Sequence, residues 1–151
     1  MKILDVAAFL LRAHGPMNAM KLQKLVYYSQ AWHLVEYRAP LFDEEIQAWA
    51  YGPVVYELYK QHRGSLVVEA IAGKPDLVSA DRAATRVLRA VWSQYGGLSS
   101  AELSRLTHSE TPWQDARREP QGETGRSPIT PASMLAYYSQ QPKLDGLAHS
   151  P

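Results

Sequence analysis

Stop signals interrupt this chain before any helix can grow long. Gly15-Pro16, Ala39-Pro40, Gly52-Pro53, Gly64, Gly96-Gly97, Thr111-Pro112 and Thr130-Pro131 punctuate it from end to end. Proline cannot continue a helix that lies upstream of it, and glycine weakens one. Between these breaks, apolar residues recur at the i, i+3, i+4 spacing of a helical face. A chain of this kind must bury several short apolar stripes against one another, which predicts a mainly α, compact single-domain fold.

The segments are individually legible. Val6, Phe9, Leu10 and Ala13 share one face from Asp5 to about Ala13. Asn18 can cap a second helix that carries Leu22, Leu25, Val26, Ser29, Trp32 and His33 and runs to about Tyr37. Pro53 fits the first position of a third helix, with Val54, Val55, Leu58, Tyr59 and His62 as its stripe and Gly64 closing it. After Ser79, Ala84, Val87, Leu88, Val91, Trp92 and Tyr95 share one face and Arg82, Arg86 and Arg89 another, with Gly96-Gly97 as a left-handed cap. Ser99 to Glu102 matches a capping box, Thr111 to Gln114 repeats it with a proline start, and Thr130-Pro131 opens a last helix. Residues 45–51 alternate as a short strand would, and residues 66–68 are its expected partner. Residues 119–127 suit an exposed loop. The expected domain covers 1–141, with 142–151 as a flexible tail.

Length and composition narrow the function. A chain of 151 residues holds one domain with one core. No apolar run approaches the ~20 residues that span a bilayer, and Met1 to Asp5 does not begin a secretory signal. The absence of cysteine excludes disulfides, thiol nucleophiles and thiolate metal sites, so the expected location is cytoplasmic. Residues 1–63 carry seven basic and six acidic side chains, and residues 79–126 carry the same numbers. Nucleic-acid binders concentrate positive charge on one face, so this balance argues against DNA as the partner.

Chemistry is sparse. No phosphate-binding loop, nucleophile elbow or dinucleotide fingerprint is present, and no two histidines show helical metal-ligand spacing, so neither a cofactor nor a metal is expected. His33 and His62 fall on apolar stripes and suit hydrogen-bonded core positions. Thr107-His108-Ser109-Glu110-Thr111-Pro112-Trp113 gathers an imidazole, hydroxyls, a carboxylate and an indole. Capping explains most of that segment, and a hydrolase or transferase centred on His108 and Glu110 is the weaker reading. Asp43-Glu44-Glu45 has the character of a solvated edge. Leu98 to Arg118 also has the outline of a helix-turn-helix that would present Trp113, Gln114, Arg117 and Arg118 to DNA, which makes a transcriptional regulator the alternative function.

Four stretches together resemble a known family. Met20-Lys21-Leu22-Gln23-Lys24-Leu25-Val26-Tyr27-Tyr28-Ser29-Gln30-Ala31-Trp32-His33 is similar to the opening signature of the Panacea, or SocA-like, antitoxin domain. Ala48-Trp49-Ala50-Tyr51-Gly52-Pro53-Val54 matches the next signature, and Leu106 to Trp113 the third. Ile129, Met134 and Tyr137-Tyr138 fit the closing piece, in the expected order. The resemblance implies a non-enzymatic, prokaryotic or phage-encoded antitoxin. Its partner would be a cognate toxin, encoded by the adjacent gene, that it blocks directly or delivers to a protease; a homo-oligomer is compatible with this role. It also implies that Leu22, Lys24, Leu25, Tyr27, Trp32, His33, Trp49, Tyr51, Gly52, Pro53, Thr107, His108, Glu110 and Trp113 are fold determinants.

A toxin-binding surface favours Tyr, Trp and Arg anchors. Nine Tyr and four Trp stand against two Phe, a surplus of rings with polar tips. Some of them suit the core, Trp32, Trp92 and Tyr95 first among them. The expected partner contacts are Tyr28, Tyr37, Tyr56 and Tyr59, with the Arg82, Arg86 and Arg89 row.

Overall fold

The computed structural model describes residues 1–119 and 126–147. In chain order the elements are α1 (Ile3–His14), β1 (Met17–Asn18), α2 (Ala19–Tyr37), β2 (Ile46–Trp49), β3 (Gly52–Val55), α3 (Tyr56–His62), β4 (Val67–Val68), α4 (Pro75–Ser79), α5 (Arg82–Tyr95), α6 (Ser100–His108), α7 (Thr111–Arg118), β5 (Ser127–Ile129) and α8 (Pro131–Tyr138). The architecture is mainly α, as the stop signals require.

Helix α2 is the axis. Every residue from Leu22 to Leu34 is buried, because α1, α5, α6, α8 and β3 surround it. Asn18 starts it by accepting from the N–H groups of Met20 and Lys21 at 2.8 and 3.1 Å, and Arg38 ends it in the left-handed conformation at φ 55°. The apolar stripe expected for this helix is therefore only part of what it buries. Its polar side chains have no wet face to turn to.

Two of those side chains act as backbone partners instead. Gln30 accepts from the N–H groups of Leu41 and Phe42 through Oε1 and donates to the Phe42 carbonyl through Nε2. Gln23 accepts from the Val55 N–H at 2.8 Å and donates to the Val55 carbonyl at 3.3 Å. The second glutamine holds β3 on the helix as a neighbouring strand would.

That clasp corrects the reading of residues 52–55, which form an edge strand and not the first turn of a helix. Strand β2 pairs antiparallel with β3 on one side and β5 on the other. Pro53 lies on the edge strand, where its missing N–H costs least. The expected partnership of residues 45–51 with 66–68 does not form; β4 pairs with β1, through Met17–Val68 and Asn18–Val67. Three local details also differ. Gly96 is right-handed at φ −63°, and a Cβ there would meet the Trp92 side chain at 2.5 Å, so close packing fixes this glycine and not a left-handed cap. Glu110, not Thr111, is the cap residue of α7. Leu144 and Leu147, in the segment expected to be a flexible tail, are buried against the core. Most of the expected 119–127 loop and the last four residues of that tail lie outside the described residues.

The Gln30 clasp generates a stability test. Gln30→Leu leaves two N–H groups and a carbonyl buried without partners, at about 1–3 kcal/mol each before relaxation. Urea denaturation should show a loss of at least ~2 kcal/mol with an unchanged m value. A loss below ~0.5 kcal/mol would mean that the 41–42 backbone does not depend on α2.

Candidate functional site

The turn between β2 and β3 is held along its backbone by side chains from α6 and α7. Arg117 donates to the Ala48 carbonyl at 3.1 Å and Trp113 Nε1 to the Trp49 carbonyl at 2.8 Å. Ser104 Oγ donates to the Tyr51 carbonyl at 2.6 Å, and the His108 ring comes close to the backbone of Ala50. The carbonyls of Ala48 and Trp49 at the end of β2, and of Tyr51 in the turn, thus accept from positions 117, 113 and 104. Within each helix the two residues at the turn are four apart, so both face it. The rings stack as well, with His108 on Trp113 (centroids 4.0 Å apart) and the Arg117 guanidinium 5.7 Å from the Trp113 centroid.

Beneath this turn lies Lys24, with 0% of its surface exposed and no hydrogen-bond partner for Nζ among the described residues. Burial pulls its pKa down to about 7. Burial, and then the nearby Lys24 charge, also lower the pKa of His108, whose Nε2 is likewise buried and unpartnered. Gly52 closes the space. Its φ is +121°, and a Cβ there would sit 2.6 Å from Lys24 Cε and 3.0 Å from Thr107 Oγ1. Only glycine satisfies both the backbone conformation and the contact.

A second polar centre lies one helical turn along α2. Tyr28 and Tyr138 donate to the same oxygen of Glu110 at 2.7 and 2.8 Å. With the Tyr138 proton committed to Glu110, Tyr27 donates to the Tyr138 hydroxyl at 3.0 Å. Trp32 Nε1 donates to Tyr95, whose ring stacks on Tyr28 with centroids 4.0 Å apart. Burial raises the Glu110 pKa against the opposing effect of the two tyrosines, and burial also raises the tyrosine pKa values.

The expected fold determinants meet here. Leu22, Leu25, Tyr27 and Trp32 are in the core, His33 Nδ1 bonds the Ala39 carbonyl at 2.6 Å, and Pro53 is buried beside Gly52. Lys24, Trp49, Gly52, Thr107, His108 and Trp113 surround the turn, and Glu110 joins the tyrosines. Tyr51 is the exception, since its backbone is held while its ring is 74% exposed. His62 accepts from Gln23 Nε2 at 2.9 Å in its neutral form, and burial lowers its pKa.

The expected partner contacts separate. Tyr28 is 0% exposed, and its hydroxyl is committed to Glu110, so it is a core residue and not a surface anchor. Arg86 is engaged by Glu36, Tyr37 and the Leu147 carbonyl, while Arg82 and Arg89 are exposed along a groove of 470 Å³. Tyr37 is 37% exposed beside Arg86. Tyr56 and Tyr59 are half-buried and pack with Trp49, whose centroid is 6.3 and 4.8 Å from theirs. Trp92, expected in the core, is only partly buried and stacks on His14 at 3.7 Å.

Two other readings lose their residues. Three of the four side chains that a recognition helix would offer are used within the chain: Trp113 and Arg117 on the turn, and Gln114 on the His108 carbonyl. The fourth, Arg118, pairs with Asp115. Glu110 faces tyrosines while His108 faces Trp113 and the turn, so the pair shares no site. Among the described residues no cluster of His, Asp and Glu suits a metal ion, and no helix is long and apolar enough to cross a membrane. Residue-by-residue reading missed Gln23, Gln30 and Ser104. The available signals were the seven-residue spacing of the glutamines on a helix flanked by apolar residues, and the four-residue step from Ser104 to His108.

The family model for the SocA-like antitoxin, Panacea domain, matches residues 22–114. That span runs from the first buried turn of α2 to the Trp113 contact with the turn. No curated protein and no solved structure matches the chain.

The buried amine sets a pH dependence. Lys24 binds a proton in the unfolded chain up to about pH 10.5 but in the folded chain only up to about 7, so the penalty for burying it grows as pH falls between those values. Stability should rise from pH 7 to about 9.5, by at most ~1.4 kcal/mol per pH unit from this group. The rise should end near pH 10, where the unfolded chain's tyrosines ionise and the buried ones do not. Lys24→Met should be more stable at pH 7 and lose most of the rise. Parallel stability–pH curves for the two proteins would contradict the assignment.

Proposed function

Because the chain belongs to the SocA-like antitoxin family, Panacea domain, we propose that it neutralises its toxin by direct binding through the face presented by the Trp49–Gly52 turn. The family implies a toxin partner. The finer reading is that this toxin is the product of the adjacent gene, that the encounter takes place in the cytoplasm, and that neutralisation needs no catalysis. Delivery of the captured toxin to a protease would begin with the same encounter.

The observation that carries the reading is the contrast at Tyr51. Its ring is 74% exposed, yet the backbone beneath it is tied to α6 and α7 at Ala48, Trp49 and Tyr51. An aromatic side chain on a fixed backbone loses little freedom on binding, which is what an interface anchor requires. The DNA-binding alternative lacks support of this kind, since the side chains it needs are spent inside the domain.

Co-expression with the adjacent gene tests the reading. Growth should be restored by the wild-type chain, and Tyr51→Ala should weaken toxin binding about 30-fold, the effect of a ~2 kcal/mol hot spot, with no change in Tm. A neighbouring gene that is not toxic, or toxicity that the chain leaves unchanged, would contradict the function. Full affinity in Tyr51→Ala would contradict the face.

A further inference from the structure

Trp49, Tyr56 and Tyr59 form an aromatic cluster whose faces are already covered by cations. The Arg126 guanidinium lies 5.0 Å from the Trp49 centroid and 5.5 Å from that of Tyr56. Arg63 lies 5.4 Å from the Tyr59 centroid and donates to the Tyr56 hydroxyl at 3.4 Å. Lys60 Nζ lies 5.6 Å from the Tyr56 centroid. All three cations are exposed at the surface.

Among the described residues, the nearby acids neutralise only Lys60 of these three cations. Glu57 pairs with Lys60 at 2.9 Å, and Glu45 accepts from Gln47, whose own oxygen accepts from Trp49 Nε1. Neither Arg63 nor Arg126 has a carboxylate partner among the described residues. A guanidinium lying over a ring still has N–H groups for another partner, and its planar fork matches a carboxylate in bidentate geometry. The rings hold two such forks in place before any partner arrives.

We propose that this cation-covered cluster docks an acidic segment of the toxin, with Arg63 and Arg126 each receiving a carboxylate. The proposal rests on the antitoxin reading above and adds the chemistry of the partner. Single-stranded nucleic acid, the other ligand of basic and aromatic surfaces, stacks its bases on open ring faces. Here cations already lie over all three rings, which favours an acidic protein segment over a stacked base.

The test is calorimetric titration of the full chain with the purified product of the adjacent toxic gene, at low and moderate salt. Wild-type affinity should fall as salt rises. Arg63→Glu/Arg126→Glu should bind at least 30-fold more weakly and lose most of that salt dependence, with an unchanged Tm because both side chains are exposed. Lys2→Glu/Lys74→Glu, which makes the same charge change on exposed lysines beside Asp5, should bind like wild type. If wild type does not bind the toxin, the antitoxin reading itself fails. If wild type binds and both double variants match it, the docking proposal fails while that reading stands. Tight binding of a labelled single-stranded oligonucleotide that the Arg63→Glu/Arg126→Glu change abolishes would also overturn the proposal.

Discussion

A helix enclosed on every side has no face on which to leave its polar side chains, and α2 is such a helix. The polar groups between Leu22 and Leu34 must find partners among the segments packed around them, or be buried at a cost. Gln23 and Gln30 meet that constraint by binding the backbone of β3 and of the 41–42 segment, and Ser29 by donating to the Leu25 carbonyl. Trp32 and Tyr28 meet it through Tyr95 and Glu110. The elements around the axis are therefore fixed by specific polar contacts as well as by apolar packing.

Lys24 is the departure from this rule, and it sits where the turn between β2 and β3 closes over the axis. Gly52 is shaped around it, while the side chains of Ser104, Trp113 and Arg117 grip the turn from outside. A buried amine without a partner lowers stability, so the fold tolerates a loss at the one place where its outward-facing turn is most firmly held. The consequence is a rigid turn. Tyr51 is displayed from a backbone with little freedom left to lose, next to a ring cluster that already orients its arginines.

Much of the helical framework was legible because caps and breakers act locally. Asn18, the Ser99–Glu102 box and Thr130 perform the roles their sequence positions imply. Pro53 misled because its preference for a helix start is local, whereas the Gln23 clasp that draws Val55 into a strand joins residues far apart in the chain. Strand partners were misassigned for the same reason: two-residue strands carry almost no pattern, and their pairing follows from helix packing. The surplus of Tyr and Trp over Phe is explained in good part by internal bonds of Tyr27, Tyr28, Trp32, Tyr95 and Tyr138, and of Trp49 and Trp113. Tyr28 has the spacing of a surface anchor, but spacing does not reveal that α2 lacks a surface. Lys24, Gly52, His108 and Trp113 come from three separate family-signature stretches, and the fold brings them together at one turn.

Hydrogen exchange of the free chain, followed amide by amide, tests the central claim that the turn is clamped to the buried axis. The account predicts that the hydrogen-bonded amides of β2 and β3, including Val55 bound to Gln23, exchange only through global unfolding, at the same free energy as the centre of α2. Exchange of β2 and β3 through local opening, several kcal/mol below that of α2, would contradict it.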